Sequence, residues 1–354
     1  MTIRILPGVA LALCLALLGQ YLSDFIGITL MGLPKSPVSA IMLAILLGIV
    51  VSNTVRLPDL VQPGIKFGLV RILRIGIVLL GIRLSLAEAG SIGLQSLPII
   101  IGAVATALIV VTYFGKRMGL SGRLGVLIAG GTSICGATAI VAIAPAVKAK
   151  DNEVSYAVAC ITLFGVVAML AYPFLGHWIF DGDAIAAGLF LGTSVHETAQ
   201  VAGAGLVYQQ FYNSPQALDF ATVTKLVRNL GMLVVIPLMS IIYVRSTAEA
   251  AEAPKWYSMI PLFVVGFAAM SLIRTVGDSG EMAFGVLPQE QWSVIVSYTK
   301  HAAEICLAVA MAAVGLGTSL RGLKSIGLRP LAVGLFSALL VGAVSVVLIT
   351  VLHG

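Results

Sequence analysis

Apolar runs long enough to cross a bilayer recur about eleven times in this chain, and no polar stretch between them could build a separate domain. The runs lie at 5–22, 38–53, 65–84, 97–114, 124–147, 154–175, 184–208, 222–244, 257–273, 295–318 and 329–352. About 20 apolar residues span a hydrocarbon core as a helix. Inside lipid each run must satisfy its own backbone hydrogen bonds, which leaves helices as the solution for an open chain. Only 10% of the 354 residues are charged, against about 25% in soluble domains, so an ordinary water-facing surface is excluded. The expected fold class is all-α: a polytopic membrane protein forming one integral membrane domain over 1–354.

The formal charge of +6 does not indicate nucleic-acid binding, because the basic residues stand at segment ends without interleaved aromatics. There they act as topology signals. Arg56, Lys116, Arg117, Arg123, Arg245, Lys255, Arg321, Lys324 and Arg329 fall on one face if the segments alternate. That face is read as cytoplasmic, with the N-terminus inside. Lys148 and Lys150 follow the fifth segment, and only Asp181, Asp183 and Asp219 flank the seventh. Re-entrant hairpins at 124–147 and 184–208 would satisfy the charge rule everywhere, so spanning and re-entrant readings both stay open. Arg4 before an apolar run imitates a signal peptide, but no small-x-small cleavage site follows, and 1–22 reads as an extra N-terminal helix. Cys14, Cys135, Cys160 and Cys306 lie in apolar runs without a CxxC pair and read as small buried hydrophobes.

Internal echoes are present. GIRLSLAEAGSIGL (81–94) matches GLGTSLRGLKSIGL (315–328) without a gap. The tripeptide Gly-Thr-Ser occurs at 131–133, 192–194 and 317–319. The alternation places the longer matches on opposite faces, as inverted repeats require. The division that follows is a first repeat over 38–175 and a second over 184–352.

Five stretches carry polar chemistry. In AGGTSICGATAIVAIAPAV (129–147), glycines, hydroxyls and Pro145 interrupt an apolar run and predict a helix break. Broken helices in carriers expose backbone groups near the midplane, and a half-helix N-terminus favours an anion. The candidate ligands are Thr132, Ser133 and Thr138, with the backbone of Gly130, Gly131 and Gly136. In LGTSVHETAQVAGAG (191–205), helical spacing puts Thr193, His196 and Gln200 on one face, with Ser194 beside them and Glu197 about 100° away. An unpaired ionised Glu in lipid costs roughly 2.5 kcal/mol or more, so Glu197 should be paired, protonated or beside water. His196 and Glu197 together suit proton coupling, since histidine titrates near neutral pH. HExxQ lacks the second His of a zinc site, and no metal is expected.

In FATVTKLVRNLGMLVV (220–235), Lys225, Arg228 and Asn229 share a helix face and suit an oxyanion or sulfonate, although Lys225 can also snorkel. Arg71 and Arg74 are expected to snorkel with Lys66. In 298–320, Lys300 and Glu304 stand at i, i+4 as an intrahelical pair, and Gly315, Gly317, Thr318 and Ser319 offer a second break that would cross the fifth segment. Glu304 is a further candidate for coupling. No nucleotide loop, haem motif or catalytic triad appears, and no cofactor is expected.

At GTSICGATAIVAIAPAVKA, GTSVHETAQVAGAG, KLVRN and GLGTSLRGL the chain resembles the YeiH-like bacterial inner-membrane proteins, which carry a sulfate-exporter label. The resemblance runs over nearly the whole chain in the same order. That family commonly has His-Asp where His196-Glu197 stands here, so the acid reaches one methylene further. The resemblance implies a carrier of the sodium/proton antiporter or bile-acid symporter type, with inverted repeats and crossed broken helices in the bacterial inner membrane.

The functional expectation is a secondary transporter, not an enzyme, for a small anion such as sulfate, sulfite or an organosulfonate. H+ or Na+ would be the coupling ion, the lipid bilayer its surroundings, and a homodimer one assembly it allows. The alternatives are a cation/proton antiporter using Glu197 or Glu304, an intramembrane enzyme, and a non-transporting receptor.

Overall fold

The computed structural model describes residues 4–33, 36, 38–247, 261–318 and 327–353. Lys255, Ser319, Arg321 and Lys324, and the 319–326 portion of the longer internal match, lie outside the described residues. In chain order the helices are α1 (Leu6–Asp24), α2 (Ala40–Thr54), α3 (Gln62–Phe67), α4 (Leu73–Leu80), α5 (Leu86–Thr106), α6 (Thr112–Arg117), α7 (Gly122–Ser133), α8 (Ala137–Ile143), α9 (Asp151–Ile179), α10 (Ala184–Ser194), α11 (Thr198–Tyr212), α12 (Pro215–Leu230), α13 (Met232–Thr247) and α14 (Leu262–Asp278). A two-stranded antiparallel hairpin, β1 (Met282–Ala283) and β2 (Leu287–Pro288), then leads into α15 (Gln289–Gly317) and α16 (Leu328–His353). Turns of π-helix bridge α3 to α4 and α5 to α6.

Among the described residues, six helices are long and apolar enough to cross a membrane: Leu6–Leu30, Leu86–Arg117, Asp151–Ile179, Pro215–Met239, Gln289–Gly317 and Leu328–His353. Ala40–Thr54 and Ala184–Ser194 are shorter apolar helices. The fold is therefore the all-α membrane architecture expected from the apolar runs. The runs at 124–147 and 184–208 are each divided in two. The first breaks between α7 and α8, where Gly136 adopts φ 75°, ψ −127°, a conformation open to glycine. The second breaks at Val195–Glu197, between α10 and α11.

The chain forms two compact units, each discontinuous in sequence: Met1–Ser91 with Leu206–Pro215 and Leu262–Ser319, and Ile92–Gly205 with Gln216–Pro261 and Leu320–Gly354. In the first unit, α1, α2, α3 and α15 bury Ala12, Leu15, Ala44, Ile65, Ala312 and Leu316. Close approach is built from small residues: a methyl group on Gly48 would meet the Ala312 carbonyl at 2.6 Å, and one on Gly315 would collide with the Ile45 carbonyl. Gly315 thus serves helix packing, and α15 continues without a break to Gly317. Lys66, Arg71 and Arg74 are exposed, and Arg74 lies 5.8 Å from the centre of the Phe263 ring. Glu304 meets Arg83 at 3.7 Å and accepts from Gln209 Nε2 at 3.2 Å.

In the second unit, side-chain caps start the half-helices. The Ser121 hydroxyl accepts from the Leu124 amide at the head of α7. The Asp183 carboxylate accepts from Ile185 and Ala186 at the head of α10. Such caps satisfy first-turn N–H groups that have no intrahelical acceptor. The unit's core is Leu127, Ile128, Ile140, Ile143, Ile161, Val235 and Ile236. Gly130 and Gly131 lie under Ile143 and Ile140, so their missing side chains are used by packing.

Candidate functional site

The polar centre of the second unit begins with helix ends. α7 stops at Ser133 and α10 at Ser194, each at the end of a Gly-Thr-Ser tripeptide, and α15 stops within the third copy at Gly317. Small β-hydroxyl residues bond their own preceding turn and so suit a terminus. Ser133 Oγ donates to the Ala129 carbonyl at 2.8 Å, Thr193 Oγ1 to Leu189 at 2.7 Å, Ser194 Oγ to Phe190 at 2.5 Å and Thr318 Oγ1 to Val314 at 2.8 Å. These four expected solute ligands thus spend their hydroxyl protons on their own helices.

A helix C-terminus leaves carbonyls without intrahelical donors and carries partial negative charge. Here both C-termini are buried, and two side chains of α12 serve them. Lys225 Nζ donates to the Ile134 carbonyl at 2.9 Å, to Val195 at 3.0 Å, and to His196. Arg228 Nε donates to Ser133 at 2.9 Å, Nη1 to Thr193 at 2.6 Å and to Val195 at 3.1 Å, and Nη2 to Thr132. Six carbonyls from two broken helices converge on one ammonium and one guanidinium, and both cations are buried. All three ammonium donors of Lys225 are used. The pair expected to hold a solute is committed to the main chain instead. The physical reason is that a buried helix terminus away from water needs donors, and the i, i+3 spacing on α12 presents both at once.

The acidic group sits on the other side of the second break. Glu197 is half-buried, and its Oε1 accepts from Thr162 Oγ1 on α9 at 3.0 Å. Gln200 braces it: its Oε1 accepts from the Glu197 amide at 3.1 Å, and its Nε2 donates to the Thr162 carbonyl at 3.2 Å. Among the described residues no salt bridge reaches Glu197. Thr162 and Thr198 are also partly exposed, and Thr138 is exposed. Asn229 Nδ2 donates to Thr198 Oγ1 at 3.1 Å. A partly exposed cluster results, made of one carboxylate, Thr162 and Thr198, with Gly136 at the head of α8 against the Glu197 side chain.

The break also alters the helical geometry expected for the seventh segment. Thr193 belongs to α10 and Gln200 to α11, so one unbroken face through Thr193, His196 and Gln200 does not exist. His196 lies within the break, fully buried, with neither ring nitrogen hydrogen-bonded, and Thr132 Oγ1 is likewise buried and unpaired. Sequence reasoning missed Thr162, which lies in an uninterrupted apolar helix with no local signal. Gln200 was legible as a polar residue, although its bracing role was not. Ser319 lies outside the described residues, and Thr318 and Glu304 belong to the first unit.

Comparison with known proteins agrees with the membrane architecture. Residues 7–334 match the model of the family described as conserved hypothetical protein 698. A UPF0324 membrane protein of Streptococcus pyogenes serotype M18 is 34% identical over 351 residues, covering 98% of this chain and 95% of the relative. The UPF0324 inner membrane protein YeiH of Salmonella typhi is 32% identical over 315 residues, covering 86% of this chain and 84% of its own. A UPF0324 membrane protein of Fusobacterium nucleatum is 32% identical over 337 residues, 93% of each chain.

Proposed function

This chain belongs to the membrane-protein family described as conserved hypothetical protein 698, and from that premise we propose that it is a secondary transporter for a small anion. One observation carries the reading. Two helices broken at their centres lie in one unit, their carbonyl ends neutralised by Lys225 and Arg228, while Glu197, Thr162 and Thr198 stay partly exposed. Carriers use such unwound points to hold a solute and a coupling ion without lipid contact. With the negative helix ends occupied by side-chain cations, the surface left for a solute is the Thr198 end of α11 with Thr162, and the exposed Thr138 on α8 is a further candidate. Hydroxyls and a helix N-terminus suit an oxyanion or sulfonate.

In this reading Glu197 carries the coupling ion, H+ or Na+. Main-chain carbonyls satisfy Lys225 and Arg228 without a solute, and Glu197, which also feels the Lys225 charge, is the acid left to carry the ion. The protein would sit in the bacterial inner membrane with its N-terminus in the cytoplasm. The absence of an ion pair at Glu197 among the described residues also favours a second reading, cation/proton exchange at that carboxylate.

Purified protein in sealed proteoliposomes tests both. Uptake of labelled sulfate, sulfite, taurine or a dicarboxylate, driven by an imposed proton or sodium gradient, is the expected result. Cation/proton exchange without anion flux would establish the second reading. Vesicles that move none of these solutes under any gradient would overturn transport as the function.

A further inference from the structure

The arrangement around Lys225 has the form of a coordination site. Its ammonium donates to three main-chain carbonyls, Ile134 from the first break and Val195 and His196 from the second, at 2.9 and 3.0 Å for the first two. Carbonyls at the C-terminal ends of half-helices are the groups that coordinate an inorganic cation when a carrier binds one at an unwound helix. Here Arg228 occupies the adjoining carbonyls of Thr132, Ser133 and Thr193, and shares that of Val195. The side chain is fully buried, and its positive charge lies where two partial negative helix ends meet.

We propose that the Lys225 ammonium is a tethered substitute for a coupling cation, so that this protein binds no Na+ or K+ at its paired helix breaks and couples through a proton on Glu197. The proposal rests on the transport reading for its word "couples", but the occupied cation cage stands on geometry alone. It selects between the two coupling ions left open above. A metal ion would have to displace Lys225 from three carbonyls, and the displaced charge would remain buried beside it. The Glu197 residue is partly exposed, and its carboxylate needs only a proton to become neutral.

Thermal unfolding of the purified protein tests the cage directly. Wild type, in buffers of equal ionic strength, is expected to show the same melting temperature with Na+, K+ or choline as the cation. Lys225→Ala is expected to melt several degrees lower in choline and to recover at least half of the loss in ammonium or methylammonium. These small cations can donate N–H to the vacated carbonyls, whereas tetramethylammonium cannot and should give no recovery. Lys66→Ala, which removes an exposed lysine, should show no ammonium dependence. Lys225→Met keeps the side-chain volume and replaces the alanine variant if that does not survive extraction; survival of either only in ammonium-containing buffer counts as recovery. Stabilisation of wild type by Na+ over choline would overturn the proposal, as would variants that no small cation restores. A failure of the transport reading would appear as absent flux in proteoliposomes and leave these melting curves unchanged, so the two failures are distinguishable.

Discussion

Glu197 lies directly over Gly136: a methyl group at position 136 would sit 2.5 Å from Glu197 Cγ. The two residues belong to different broken helices, and their contact joins the two breaks. Gly136 also holds φ 75°, ψ −127°, which a side chain would strain by about 1–3 kcal/mol. Gly136→Ala is therefore expected to lower thermal stability by at least that amount and to abolish solute uptake. Uptake at the wild-type rate with an unchanged melting temperature would show that the contact is not needed.

Glu197→Gln keeps the volume of the side chain and an acceptor for the Thr162 hydroxyl. The variant is expected to fold with a melting temperature close to wild type and to lose gradient-driven uptake by about tenfold or more, the scale of a lost essential proton-transfer group. Any residual exchange should be independent of pH between 5 and 8. A variant that keeps a pH-dependent rate would remove Glu197 from the coupling role.

Arg228→Met removes a donor from four carbonyls at two helix ends, and only Val195 keeps another, from Lys225. Each buried acceptor left without a donor costs about 1–3 kcal/mol, so the loss is expected to exceed about 3 kcal/mol. Arg228→Lys should recover only part of it, because an ammonium cannot reproduce the planar spread of the guanidinium. Circular dichroism against temperature measures the effect. If Arg228 instead held the solute, both variants would keep their stability and lose only binding.

Gly165→Ala places a methyl group against the Gln200 amide, 2.6 Å from its Cδ. The brace from Gln200 to the Glu197 amide and the Thr162 carbonyl should then be lost. A several-fold fall in uptake with a smaller change in melting temperature is expected. Equal uptake by the variant would show that Glu197 needs no brace.

Thr138 is exposed, whereas Thr132, six residues earlier in the same segment, is fully buried. In a background lacking Cys14, Cys135, Cys160 and Cys306, Thr138→Cys should react with a water-soluble maleimide and Thr132→Cys should not. Protection of position 138 by the transported anion would place the solute at the start of α8. Equal labelling of both positions would contradict the assignment of the accessible face.

Legibility of the site followed the strength of its local signals. The first break is visible in the sequence because Gly131, Gly136 and the hydroxyl residues between them weaken a helix in a way no apolar neighbour offsets. The second break is less visible. Val195-His196-Glu197 contains no glycine or proline, and its polar residues fit an unbroken helix face equally well. That segment leaves the helix where its carbonyls can turn to Lys225, a residue 29 and 30 positions away. Thr162 offers no signal, since one threonine in an apolar helix usually bonds its own backbone.

The apolar runs and the scarcity of charge determined the solvent, and with it the secondary structure, because a chain in lipid must close every backbone hydrogen bond within its helices. Residue types alone could not decide what the buried charges face. Lys225 and Arg228 carry the same chemistry beside a bound anion, at a headgroup or on a helix terminus. Only the packing of α12 against the ends of α7 and α10 gave them carbonyls as partners and left Glu197 as the accessible charge. Long-range contacts made that choice, because a buried ion's free energy depends on the few groups within hydrogen-bonding reach and not on its place in the chain.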